Sequence, residues 1–137
     1  MRALITRCLG AVLAGALPLP ALAAGLDGTQ PVTCTIVETA DCGSDAQCIR
    51  DTPESVNLPR LIRIDFAAKR IVSRLAGGDE RTAEIGLQRV EDGKLLLQGI
   101  QRGHAWSAAI LQDSGALSLA IAGEGGAVAA FGFCAAF

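Results

Sequence analysis

The chain contains no tyrosine, one tryptophan, one methionine and one histidine, and aromatic residues make up only 4% of it. So few stacking side chains argue against the aromatic platforms on which single-stranded nucleic acids are bound. The lone histidine, His104, excludes a multi-histidine metal centre and leaves a serine triad one possible base. An excess of basic charge is also missing. Lys and Arg number 12 against 14 Asp and Glu, a formal net charge of −2, so the electrostatic footprint of a nucleic-acid partner is absent. No apolar run reaches the roughly 20 residues of a membrane-spanning helix. There is no Gly-x-Ser-x-Gly, His-Glu-x-x-His, phosphate-loop or dinucleotide glycine pattern, and no cofactor is expected.

What is present begins with an export signal. Arg2 and Arg7 occur without any acid, an apolar run follows from Cys8 to Leu17, and Pro18, Pro20 and Ala21-Leu22-Ala23 come next. That order is a positive segment, an apolar segment of roughly ten residues and an Ala-x-Ala cleavage site. Residues 1–23 read as a secretory signal peptide, cleaved after Ala23 or, failing that, Ala24; the alternative is a retained N-terminal anchor. Arg7, where a small residue is needed, disqualifies Cys8 as a lipoprotein cysteine. Removing Arg2 and Arg7 lowers the formal net charge from −2 to −4. The expected location is periplasmic or secreted, with no stable membrane span after cleavage. Residues 24–137 are expected to form a single disulfide-stabilised β domain.

Four cysteines remain there: Cys34, Cys42, Cys48 and Cys134. An even count in an exported chain reads as two disulfides, for which sequence allows three connectivities. Cys34–Cys134 with Cys42–Cys48 is preferred, because the first pair would tie the first strand to the last. Zinc is the rival reading, but the spacing lacks the close ligand pairs of common zinc motifs.

After Gly25 the pattern alternates. Ile62, Ile64 and Phe66 share one face, Ala83, Ile85 and Leu87 another, and Leu117, Leu119 and Ile121 a third. Period-two alternation marks half-buried strands. Turn formers recur between them at Gly77-Gly78-Asp79, Asp92-Gly93, Arg102-Gly103, Asp113-Ser114-Gly115 and Gly123–Gly126. The expected fold is all-β: a small antiparallel meander of about eight strands, at 32–38, 60–66, 69–75, 80–90, 94–102, 104–112, 116–122 and 127–134. It would form a barrel or curled sheet, with a sandwich as the alternative. Ser44-Asp45-Ala46-Gln47 has the form of a capping box, which predicts one short helical turn over 45–51 in the first long loop.

Candidate contact residues fall in three places. His104 and Trp106 share a face of one strand, as a site or as core with Ala108 and Ile110. Ser107 points to the other face, which makes a Ser107–His104 dyad awkward. Five bases between Arg60 and Arg74, including Arg70 and Arg74, face five acids between Glu38 and Glu54. They suit an anionic partner, or else pair with the acidic loop. Phe131 and Phe133 lie opposite Cys134 in phase and form a contact patch if that face is open to solvent. The turn carboxylates Asp79-Glu80 and Glu91-Asp92 read as solvated charges.

Cysteines near both ends of a meander, the Leu97-Gln98-Gly99 and Gly103-His104-Ala105-Trp106-Ser107 stretches, the Asp113-x-Gly115 turn and the closing Phe131-Gly132-x-Cys134 carry a resemblance. The chain resembles the uncharacterised small periplasmic proteins of alphaproteobacteria, which implies no activity. It is also similar in architecture to the bacterial inhibitors of C-type lysozyme, small eight-stranded barrels with a disulfide joining their ends. Their Ser-Gly-x-x-Tyr loop is matched only by Ser114-Gly115, so no site residue transfers. Three function classes remain. First is a non-enzymatic binding or inhibitory module for an envelope or periplasmic partner. Second is a carrier of a small apolar ligand, in a cavity lined by Leu95, Leu97, Trp106 and Ile110. Third is an enzyme relying on His104.

Overall fold

A computed structural model describes residues 25–136, so the signal peptide expected at 1–23 lies outside the described residues. The chain forms ten strands: β1 (Val32–Gly43), β2 (Cys48–Asp51), β3 (Leu61–Asp65), β4 (Arg70–Arg74), β5 (Glu80–Glu84), β6 (Leu87–Glu91), β7 (Lys94–Gln101), β8 (His104–Leu111), β9 (Ala116–Gly123) and β10 (Gly126–Ala136). All pair antiparallel in one continuous sheet of order β5-β4-β3-β1-β10-β9-β8-β7-β6, with β2 beside β1. The sheet is curled into a half-barrel, as the alternation and turn spacing predict, rather than split into a sandwich.

The curl has a specific cause. β5 and β6 stand at opposite ends of the sheet yet are joined by only Ile85 and Gly86. The Ile85 amide donates to the Lys69 carbonyl at 2.9 Å, and the Gly86 amide donates to Gln98 on β7 at 2.8 Å. The segment expected as one strand over 80–90 therefore leaves β4 and joins β7, which draws the two ends of the sheet toward each other. The unpaired edges that invite aggregation are thereby shortened.

β1 is the spine. It pairs with β10 from Val32↔Ala136 to Gly43↔Gly126. On its other side it pairs first with β3 and then with β2. Val37 is an extra residue in the β10 register, a β-bulge. Before it Val32, Cys34 and Ile36 point inward; after it Thr39 does, with its hydroxyl donating to the Asp51 carbonyl at 2.9 Å. Opposite the bulge stands Gly132, where a Cβ would collide with the Thr35 carbonyl oxygen. Only glycine permits that approach. The β7–β8 hairpin turns through Arg102 and Gly103, both at positive φ (49° and 80°), the two-residue geometry that follows strand twist.

Two expectations are corrected. The strands number ten rather than about eight. Among the described residues there is no helix, and residues 48–51, expected within a helical turn, form β2. The Asp45 carboxylate accepts from the Gln47 amide at 3.1 Å, and Gly43 exchanges bonds with Gln47 and Ala46, so the capping-box residues close a hairpin turn instead. Asp and Ser side chains bond turns as readily as helix starts.

Both disulfides follow the preferred pairing. Cys34 and Cys134 are direct neighbours on β1 and β10, with Cα atoms 3.9 Å apart and a sequence separation of 100. Cys42 and Cys48 face each other across the β1–β2 hairpin at 4.0 Å, six residues apart. Such bonds form and persist in oxidising compartments. The Cys134 amide donates away from β1, to the Gly115 carbonyl at 2.7 Å, which leaves the cysteine pair in a narrow site of the ladder.

In the chain-entropy treatment the long loop stabilises by roughly 4.7 kcal/mol and the short one by roughly 2.4 kcal/mol. Replacing Cys34 and Cys134 together by alanine is expected to lower the unfolding free energy in urea about twice as much as replacing Cys42 and Cys48. Equal losses would show that the long bond does not constrain the unfolded chain.

Candidate functional site

The concave side of the half-barrel differs between its two ends. At one end Leu95, Leu97 and Ile110 are fully buried, joined by Val32, Ile64 and Phe66. Leu26, from the segment before β1, is buried among them. Two side-chain amides hold that segment: Gln112 donates to the Leu26 carbonyl at 3.0 Å and Gln88 to the Gly28 carbonyl at 3.1 Å. This end is closed.

Toward the other end a cavity of about 370 Å³ opens. β3 and β4 supply Ile62, Ile64 and Ile71 to its wall; β9 supplies Leu117, Leu119 and Ile121. Ala83 and Ala108, where larger residues would fill the space, complete it with Ile36, Val128 and the indole of Trp106. The volume lies at the lower end of the range for small-molecule sites, about 300–1,000 Å³. It is roughly twice the size of an engineered apolar cavity that admits benzene.

The mouth is polar. Asn57, Ser73, Arg81, Gln101, Arg102 and His104 surround it. Several are fixed by hydrogen bonds across elements. Arg81 Nη1 donates to the Asn57 carbonyl at 2.8 Å, tying β5 to the 52–60 loop. Gln101 Nε2 donates to the Thr82 carbonyl at 2.9 Å, bridging β7 to β5 where the ends of the sheet approach. His104 Nδ1 lies 3.1 Å from the Arg102 carbonyl, and its ring packs over Gly123, where any Cβ would strike it.

The loop beside the mouth contributes Val56, Asn57, Leu58 and Pro59. The Leu58 amide donates to the Pro53 carbonyl at 2.8 Å, and Pro53 is itself fully buried. Arg60 donates through Nε and Nη2 to the two oxygens of Glu54, each at 2.8 Å. The hydrogen bond from Arg60 holds the Glu54 carboxyl below its ordinary value of 4.5. The Ser55 hydroxyl, and after it the Thr52 amide, lower Asp51 below 3.8.

Of the residues singled out from sequence, His104 and Trp106 come together at this cavity. Trp106 is 8% exposed and its Nε1 has no hydrogen-bond partner among the described residues. Leu95, Leu97 and Ile110, expected beside it around a ligand space, instead fill the closed end. Arg70 and Arg74 lie on the outside of β4, away from the mouth. The acidic stretch is met by Arg50, which pairs with Glu38 at 2.6 Å, and by Arg60; Arg74 reaches Glu80 at 3.8 Å. Phe131 and Phe133 are 47% and 61% exposed on the outer face of β10. Ser107 is on the outer face of β8, turned from His104. Sequence reasoning passed over Arg81, Gln101 and Arg102. The turn residue Arg102 beside Gly103 was the available signal, since a hairpin tip carries its flanking side chains to one rim.

Set against models of known families, curated proteins and solved structures, the chain finds no match in any of the three. The two resemblances drawn from its residues rest on those residues.

The lowered carboxyl of Glu54 makes the loop acid-sensitive. A depressed folded value contributes stability that is present above 4.5 and lost as pH falls through the lower folded value. Backbone NMR signals of Asn57 and Leu58 are therefore expected to shift at pH below 4.5, and to be displaced already at neutral pH in Glu54→Gln. Signals that stay unchanged in both conditions would detach the loop from the Glu54–Arg60 pair.

Proposed function

We propose that this protein is an exported, non-enzymatic carrier of a small apolar ligand, held in the open end of the half-barrel. The observation that carries the reading is the cavity of about 370 Å³ with its wall of Ile, Leu, Val and Ala side chains. A void of that size costs the protein contacts that a packed core would recover. Ala83 and Ala108 keep it open while the far end of the same concave surface is filled completely. An apolar molecule entering there leaves water on one side and gains packed neighbours on the other.

Export supports the same reading. The basic, apolar and Ala-x-Ala order of residues 1–23 and the two disulfides agree on a periplasmic or secreted location. In that setting an apolar molecule needs protection from water. The family-level expectation, kinship with small periplasmic proteins of alphaproteobacteria, is compatible with a carrier and names no ligand.

A second reading, a module that binds an envelope protein through its surface, is favoured by one observation. The outer face of β8–β10 presents Ala105, Ser107, Ala120, Ala127, Ala129, Phe131 and Phe133, without a charged side chain among them. A partner on that face would be equally uncharged.

Native mass spectrometry of protein recovered from the periplasm separates the two. The carrier reading expects a chain beginning at Ala24, four hydrogens lighter than its reduced form, with an added mass that leaves on denaturation. Ala83→Phe, which fills the cavity from β5, is expected to keep the fold and lose that added mass. A wild-type protein with no adduct and no uptake of apolar ligands from solution would leave the surface module in its place.

A further inference from the structure

We propose that the ligand is a single-chain anionic amphiphile, with its tail against Ile62, Ile71, Leu119 and Ile121 and its head group between Arg81 and Arg102. This rests on the ligand-cavity reading and adds to it the charge and shape of the occupant.

The argument begins with the sign of the charge at the mouth. The chain as a whole is acidic, with 14 Asp and Glu against 12 Lys and Arg. Yet the residues around the cavity include two arginines and a histidine and no carboxylate at all. Chance would give an acidic chain a mixed or acidic rim. Neutralisation by neighbours does not cancel this charge: among the described residues, neither Arg81 nor Arg102 has a carboxylate within 4.0 Å. Glu80, adjacent to Arg81, points to the other face of β5 and reaches Arg74 instead.

Geometry adds to charge. Arg81 is held by one bond from Nη1 to the Asn57 carbonyl, which leaves most of its five N–H donors unused. A guanidinium fixed in this way is a ready donor to a carboxylate or phosphate, because little side-chain freedom is left to lose. Arg102 projects from the tip of the β7–β8 hairpin at positive φ, and His104 and Gln101 flank it with further hydrogen-bonding groups. Apart from the Trp106 Nε1, the polar side chains of the lining are those named at the mouth. The remaining wall is apolar, so a molecule matching it is apolar along its length and anionic at one end.

The cavity, at about 370 Å³, lies near the lower end of the range for sites that take one small molecule, about 300–1,000 Å³, and a single acyl chain of medium length matches it.

Trp106 supplies the readout. It is the only tryptophan, there is no tyrosine, and its indole lines the cavity, so intrinsic fluorescence reports on the site alone. The full disulfide-bonded chain is titrated with dodecanoate, dodecyl phosphate, dodecanol and dodecyltrimethylammonium, each below its micelle concentration. The expected result is binding of at least one anionic compound roughly tenfold or more tighter than the alcohol, the scale of a charge-assisted contact. Whichever of carboxylate or phosphate binds tighter names the head group. Arg102→Asn, which suits the left-handed turn, is expected to bring the ratio of anion to dodecanol affinity, measured within the variant, close to one. If the alcohol or the ammonium compound binds as tightly as both anions, the head-group assignment is overturned while the cavity reading stands. If none of the four binds, both are overturned.

Discussion

The amides of Ile85 and Gly86 are bonded near opposite ends of one sheet, to Lys69 just before β4 and to Gln98 on β7. Two consecutive residues cannot reach both places unless the sheet bends round to meet itself. The concave interior, the short exposed edges and the separation of a closed from an open end all depend on that constraint. The β1–β10 pairing, joined covalently through Cys34 and Cys134, holds the middle of the sheet against the bend. Bulge and glycine cooperate there. Val37 shifts the inward phase of β1, and Gly132 gives the displaced Thr35 carbonyl room.

Once the sheet is bent, side-chain size decides what the interior becomes. Large aliphatic residues, with Leu26 folded in from the preceding segment, complete a packed core at one end. Alanines at 83 and 108 leave space at the other, and the loop pinned by Arg81 and by the Glu54–Arg60 pair borders it. Packing and electrostatics then act along one axis: stability is concentrated at the closed end, and the accessible volume and uncancelled positive charge at the open one. The disulfides allow a chain of this size to keep an unfilled interior, because they stabilise the fold independently of how completely its core is packed.

Much of the fold was legible because burial on one face imposes a period of two. Ile62, Ile64 and Phe66 all face inward, as do Val32, Cys34 and Ile36, a phase consistent with the Cys34–Cys134 pairing preferred for tying the first strand to the last. The errors came where local sequence signals have more than one structural outcome. Residues 44–47 carry oxygens that cap a helix or close a turn equally well, and pairing of 48–51 with β1 decided for the turn. Residues 80–90 alternate throughout, so nothing local marks Gly86 as the point where the strand changes partners. His104 and Trp106 were identifiable as unusual residue types sharing a face. The cavity beside them was not, since it is a property of what alanines fail to fill. Arg81 and Arg102 looked like any charged residue near a turn. Only the tertiary arrangement brings them to one rim without a carboxylate.

The central claim is that the open end of the half-barrel holds a preformed apolar space accessible from outside. Diffraction from a crystal of the ligand-free protein pressurised with xenon tests it most directly, since xenon enters dry apolar cavities without needing any particular head group. The account predicts xenon density enclosed by Ile62, Ile71, Leu119 and Ile121, beside the Trp106 indole, with none at the closed end around Leu95 and Ile110. Side chains collapsed into that volume, with no xenon among them, would contradict it.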